Sequence, residues 1–200
     1  MRGLYAAKPW YTARLVGVVR FSVERQLSPD VFTWLGVGCA AGAALTSWQG
    51  WWLATAVLLA LRLAGANLDG AVARARGVAR PWGFVLNEIG DRASDLLLFA
   101  GLAGLAASRL PHPSVVSPLV LVLIAAVAAT LPTFAALAAA GAGAPRRNGG
   151  PLGKTERCVL AVIATAWPPA IPAVCWVVIV GSVATATLRL AAAWRETATS

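Results

Sequence analysis

Six apolar runs set the terms on which this chain can fold. They cover about 31–47, 50–73, 83–108, 114–142, 156–170 and 172–194, with short polar or proline-rich breaks between them. A helix needs about 20 apolar residues to cross roughly 30 Å of hydrocarbon. The composition agrees: the 200 residues are 58% hydrophobic and 12% charged, with a mean hydropathy of +0.71. A soluble domain could not cover that much apolar surface. The expected fold is an all-α integral membrane protein of six transmembrane helices. The last two runs are separated only at 167–172, Trp-Pro-Pro-Ala-Ile-Pro. Prolines that dense end a helix, so a tight hairpin is expected there.

Residues 1–28 read differently. Tyr11, Leu15, Val18 and Phe21 recur at helical spacing among Lys8, Arg14, Arg20 and Arg25. This predicts an amphipathic helix lying in the membrane interface, basic face toward lipid phosphates. The chain then divides into a juxtamembrane segment, 1–28, and a transmembrane domain, 29–200. The first residues contain no apolar h-region, so no signal peptide is expected. Basic residues sort to one side of the spans: Arg76, Arg80, Arg146, Arg147 and Lys154 lie in loops on the side of both basic termini, and Arg109 alone on the other. The positive-inside rule therefore predicts cytoplasmic termini for a multi-pass plasma-membrane protein. The net charge of +9 is spread along span edges rather than gathered in a patch, which argues against nucleic acid and for anionic headgroups. Cys39, Cys158 and Cys175 are odd in number and sit in apolar segments, where they read as small core residues. His112 lies in a Pro-His-Pro loop and is expected to be solvated. Trp48, Trp51, Trp52, Trp82, Trp167 and Trp194 fall near span ends, as interfacial anchors do.

Against this background the acidic residues stand out. The chain has eight, and Asp69, Glu88, Asp91 and Asp95 crowd the junction of the second and third runs. Ionisable groups at membrane depth are expensive and default to a functional reading; the plainer alternative is a charge network with Arg74 and Arg92 that locks helices together. Asn87, Asp91 and Asp95 are four apart and share one helix face. Across a short loop that face can meet Asp69. Oxygen donors converging from two helices suit a hard divalent cation, Mg²⁺ or Mn²⁺. Gly70 and Gly83 permit close approach of ligand or helix. A site near one interface can meet a lipid from one side and a water-soluble substrate from the other.

The stretch resembles the signature of the CDP-alcohol phosphotransferase family, D-x2-D-G-x2-A-R-x8-G-x3-D-x3-D. Asp69, Gly70, Ala73 and Arg74 match, eight residues separate Arg74 from Gly83, and Asp91 stands at the last aspartate. Leu-Ser-Pro-Asp-Val-Phe-Thr at 27–33 and Pro-Leu-Gly-Lys-Thr-Glu-Arg at 151–157 are similar to further family elements, as is the six-helix plan. Asp-Arg-Ala-Ser-Asp at 91–95 is similar to the subgroup that makes phosphatidylinositol phosphate. Two positions depart: Ala66 and Asn87 stand where the first and third aspartates belong. Asn67 adjoins the first but points about 100° away on a helix. A shifted alignment would make Asp91 and Asp95 the third and fourth aspartates; the gapless one keeps Gly83 in register.

The resemblance implies transfer of a phosphatidyl group from CDP-diacylglycerol, or another CDP-linked lipid, to an alcohol acceptor, with release of CMP. It implies Mg²⁺ or Mn²⁺ held by Asp69, Asn87 and Asp91, with Asp95 as an extra ligand, and Asp91 as the base for the acceptor hydroxyl. Asp69, Gly70, Ala73, Arg74 and Gly83 would hold the CDP portion, and Lys154 and Arg157 an acceptor phosphate. A homodimer is implied too, and runs of small residues such as 125–130 permit close helix packing. Two other readings stay open: a member that has lost catalysis and serves as a lipid-binding scaffold, and a small transporter relaying protons or cations through buried carboxylates.

Overall fold

The computed structural model describes residues 14–110 and 117–197. His112 and the first part of the amphipathic stripe, including Tyr11, lie outside the described residues. Every regular element among those described is helical: α1 (Val16–Glu24), α2 (Pro29–Gln49), α3 (Trp52–Ala75), α4 (Pro81–Arg109), α5 (Pro118–Ala128), α6 (Leu131–Gly141), α7 (Lys154–Ala166), a 3-10 turn (Pro168–Ala170) and α8 (Ile171–Thr197).

Local chemistry explains the boundaries. Ser28 caps α2 by accepting the Asp30 N–H, Pro29 fills the first turn where no N–H is needed, and Asp30 faces the positive end of the helix. Gly50 ends α2 in the left-handed region at φ 79°, which an L side chain resists. The fourth apolar run is bent rather than straight. Pro132 lacks an N–H and its ring crowds the carbonyl four residues back, so α5 stops at Ala128 and α6 restarts at Leu131. The fifth helix ends at Ala166, short of the expected 170, because Pro168 forces Trp167 out of the helical region (φ −136°, ψ 83°).

Among the described residues, four stretches are long and apolar enough to cross a membrane: Pro29–Gln49, Trp52–Ala75, Pro118–Gly141 and Pro168–Thr197. The other two expected spans differ for separate reasons. α4 has 29 residues, but Glu88, Asp91, Arg92 and Asp95 occupy its first half. α7 has 13 residues, about 20 Å of helix at 1.5 Å per residue.

α4 is the axis of the bundle. Its Leu98, Phe99, Leu102 and Leu105 are buried against Ala43 of α2, Leu59 of α3, Leu121 and Val122 of α5, Ala161 of α7 and Val178 of α8. Small residues let the first helices close: a Cβ on Gly65 would come 2.7 Å from the Phe32 carbonyl, and one on Gly101 would enter the Ala44 backbone. Large apolar side chains point outward all round, among them Trp34, Leu45, Leu61, Leu123, Phe134, Trp176 and Leu188. A surface of that kind belongs in lipid. The α1 stripe divides: Leu15 and Val19 pack on Phe32, Leu68 and Val72, while Val18 and Phe21 face outward. All three cysteines are free.

Candidate active site

A cavity of about 1010 Å³ opens at one end of the bundle, lined from α2, α3, α4, α6, α7, α8 and the loops between them. Both described chain ends lie at this end. Arg76 donates to the Leu27 carbonyl (2.5 Å) and to Gln26 (2.9 Å), tying the exit of α1 to the α3–α4 loop. Arg80 pairs with Asp30 across the same mouth. Arg147 pairs with Glu196 near the end of α8. At the opposite end of the bundle Arg109 donates to the Gln49 carbonyl (2.9 Å).

The short loop after α3 turns the chain back so that α4 begins beside the last turns of α3. Asp69 is buried, and Asn87 of α4 donates to its Oδ2. Thr33 of α2 donates to the same oxygen at 3.0 Å, and the Gly70 N–H meets Oδ1 at 2.5 Å. Asp91, one turn beyond Asn87, accepts Lys154 Nζ on both oxygens, at 3.2 and 3.0 Å. α3, α4 and the start of α7 thus bring Asp69, Asn87, Asp91 and Lys154 together at the cavity. Gly70, Ala73, Arg74 and Gly83 line the same cavity. The glycines matter sterically: a Cβ on Gly70 would lie 3.1 Å from Arg74 Nη1.

Asp95 is placed elsewhere. It is 3% exposed, does not line the cavity, and spends its carboxylate on three guanidinium groups: Arg62 (2.7 Å), Arg157 (2.6 Å) and Arg92 (3.0 Å). Arg157 joins this cluster while also lining the cavity. No group of three or more His, Cys, Asp or Glu that could hold a metal ion occurs among the described residues. Ala66 and Asn87 account for that: the protein wall offers two carboxylates, Asp69 and Asp91, and an amide.

Other residues in or behind the cavity take places that spacing did not reveal. Thr33 anchors Asp69. Arg146 lies over the Phe84 ring (4.7 Å) and pairs with Glu88 at 2.5 Å. Arg189 of α8 donates to the carbonyls of Pro132 (2.6 Å), Asn148 (3.0 Å) and Gly149 (2.9 Å), clamping the loop that leads to Lys154. Arg62 is 1% exposed, the largest fully buried side chain. Arg189 had one readable signal, a lone charge within an otherwise apolar run, whereas Arg62 shares its run with Asp69.

Comparison with known proteins gives the arrangement a family. The family model for CDP-alcohol phosphatidyltransferase matches residues 26–188. The chain is 34% identical over 149 residues to a phosphatidylinositol phosphate synthase of Mycolicibacterium smegmatis, covering 73% of this chain and 64% of that protein. It is 32% identical over 178 residues to the synthase of Mycobacterium bovis, covering 84% and 80%. Among solved structures, the Mycobacterium tuberculosis phosphatidylinositol phosphate synthase in complex with manganese and citrate superposes with a TM-score of 0.75 at 29% identity, covering 89% of this chain and 88% of that one. The same enzyme with CDP-DAG bound gives 0.75 at 29% identity, covering 89% and 92%. The chain belongs to the CDP-alcohol phosphatidyltransferase family.

Proposed function

We propose that the protein transfers a phosphatidyl group from CDP-diacylglycerol to a phosphorylated alcohol, releasing CMP. The observation that carries this reading is one cavity lined by Asp69, Asn87 and Asp91 together with Lys154, Arg157, Arg146 and Arg189. The carboxylates would suit a divalent cation taken up with the donor diphosphate, and the cations beside them an acceptor that brings its own phosphate.

The donor set fits a divalent cation. Mg²⁺ and its analogues are held by one or two carboxylates together with substrate phosphate oxygens, and Asp69 and Asp91 supply the carboxylates. Asn87 turns its N–H toward Asp69, which leaves its Oδ1 as the group to face a ligand. When bound, Mg²⁺ or Mn²⁺ supplies charge neutralisation on the diphosphate and the leaving CMP. Arg74, Gly70, Ala73 and Gly83 hold the CDP portion, the guanidinium through charge-assisted bonds and the small residues by leaving room.

The chemistry then belongs to Asp91 and Lys154. An acceptor phosphate competes for the Lys154 ammonium, which otherwise bridges both Asp91 oxygens. Released, Asp91 takes the proton of the acceptor hydroxyl. The hydroxyl oxygen bonds to the lipid-side phosphorus as the bond to the CMP phosphate breaks, and CMP departs with that electron pair. Positioning of the two substrates in line supplies much of the rate. Asp95 serves as the anchor that fixes Arg62, Arg92 and Arg157 rather than as a metal ligand. Six membrane crossings, with α4 and α7 completed by neighbouring segments, put both termini and the cavity on the cytoplasmic face of the plasma membrane. The basic loops at the cavity end support that orientation. The protein works as a homodimer, supported by its small-residue stretches.

The test is CMP release from CDP-diacylglycerol by the purified protein with Mg²⁺ or Mn²⁺. Inositol phosphate, glycerol phosphate, inositol and serine are supplied one at a time, with Asp91→Asn as control. Metal-dependent release with a phosphorylated acceptor, lost in the control, is expected. Retention of CDP-diacylglycerol without release by any acceptor would favour a lipid-binding scaffold, the reading to which Ala66 and Asn87 lend weight.

A further inference from the structure

The wall that faces the diphosphate is short of negative charge, and a buried cation stands behind it. Arg62, Ala66 and Asp69 are spaced four and three apart, on one face of α3. Arg62 lies one turn before Ala66, where the family signature carries a carboxylate. Arg62 lines a void of about 10 Å³ shared with Ala66, Asp69, Asn87 and Asp91, room for one water at most. Its Nη2 reaches Asp95 (2.7 Å) and the Asp91 carbonyl (3.4 Å), and its buried Nε has no hydrogen-bond partner.

Asp69 has little capacity left. Its Oδ2 already accepts Thr33 and Asn87, and its Oδ1 accepts the Gly70 N–H. A paired-metal site needs carboxylate oxygens facing two cations about 3.5–4 Å apart, and neither Ala66 nor Asn87 supplies one. The charges point the same way. Arg62, Arg92, Lys154 and Arg157 stand against Asp69, Asp91 and Asp95, so this group is net positive before any metal binds. A second dication there would meet repulsion with no carboxylate to offset it.

We propose that this site holds one divalent cation, and that the Arg62 guanidinium supplies the fixed positive charge that a second cation would otherwise bring. The proposal rests on the functional reading above and assigns Arg62 as a positioning residue.

The test is a Mn²⁺ titration of the whole protein in lipid nanodiscs containing CDP-diacylglycerol, with free Mn²⁺ read by electron paramagnetic resonance. One Mn²⁺ per chain without a spin-coupled signal is expected. Two per chain overturns the proposal. None per chain overturns it as well, and displacement of radiolabelled CDP-diacylglycerol in the same discs then separates the cases. Retained lipid leaves the CDP-lipid reading standing, and lost lipid removes both. Arg62→Met should tighten Mn²⁺ binding by about tenfold, since a nearby cation is gone, while Arg62→Lys keeps the original affinity. Unchanged Mn²⁺ affinity in Arg62→Met overturns the role of Arg62. If that variant does not fold, Ala66→Asp combined with Asn87→Asp decides: a count rising to two supports the proposal, and a count that stays at one overturns it.

Discussion

Two aspartates one helical turn apart, Asp91 and Asp95, sit in opposite surroundings. Asp91 meets a flexible ammonium at the cavity wall and is half-buried, whereas Asp95 is sealed among three guanidinium groups. Asp91→Asn should lower CMP release by about 10³-fold, the scale of a lost base, with an unfolding midpoint near that of the parent protein. Asp95→Asn should destabilise by about 3 kcal/mol, because it strands buried charge; thermal unfolding in detergent measures the contrast. A midpoint drop in Asp91→Asn as large as that in Asp95→Asn would erase the distinction. Lys154→Met should raise KM for a phosphorylated acceptor by about tenfold or more while leaving KM for CDP-diacylglycerol near its original value, as expected for a lost charge-assisted contact. Sequence spacing put Asp91 and Asp95 on one stripe. It could not tell ligand from anchor, because the arginines that capture Asp95 come from α3 and α7 as well as from α4 itself.

At the level of elements, the helices owe their existence to apolar runs and their closeness to glycine. Gly101 faces the Ala44 backbone, so Gly101→Val should cost about 1–3 kcal/mol by overpacking. Gly141→Val, where a Cβ meets nothing within 4 Å, should cost much less. A pair of unfolding midpoints checks this, and equal losses would mean that the α2–α4 approach is not steric in origin. Helix ends were readable wherever proline, glycine or serine punctuates the chain, as at Ser28, Gly50 and 167–172. The break at Ala129–Thr130 was legible in principle from Pro132, yet hydropathy runs straight through it. A hydropathy run measures affinity for lipid, not the continuity of backbone hydrogen bonds.

For the whole molecule, both described chain ends and the cavity share one end of the bundle, and Arg109 marks the other. Single cysteines at Arg14 and Thr197, in a protein whose Cys39, Cys158 and Cys175 are replaced by serine or alanine, should resist a membrane-impermeant thiol reagent in intact cells. A cysteine at Ser108 should label. Labelling of the termini alone would invert the proposed orientation, and labelling of all three would overturn it.

Hydropathy and turn residues in the chain establish a helical membrane protein, the places where its helices break, and an acidic cluster at the junction of the second and third apolar runs. Those properties follow from local hydropathy, turn residues and spacing within single helices. The tertiary structure sets Thr33, Asn87 and the Gly70 N–H against Asp69, Lys154 across both oxygens of Asp91, and Arg62, Arg92 and Arg157 around Asp95. The reason is physical: the chemistry of a carboxylate depends on which charges lie within a few ångströms. Here those charges arrive from helices up to 63 residues away in the chain.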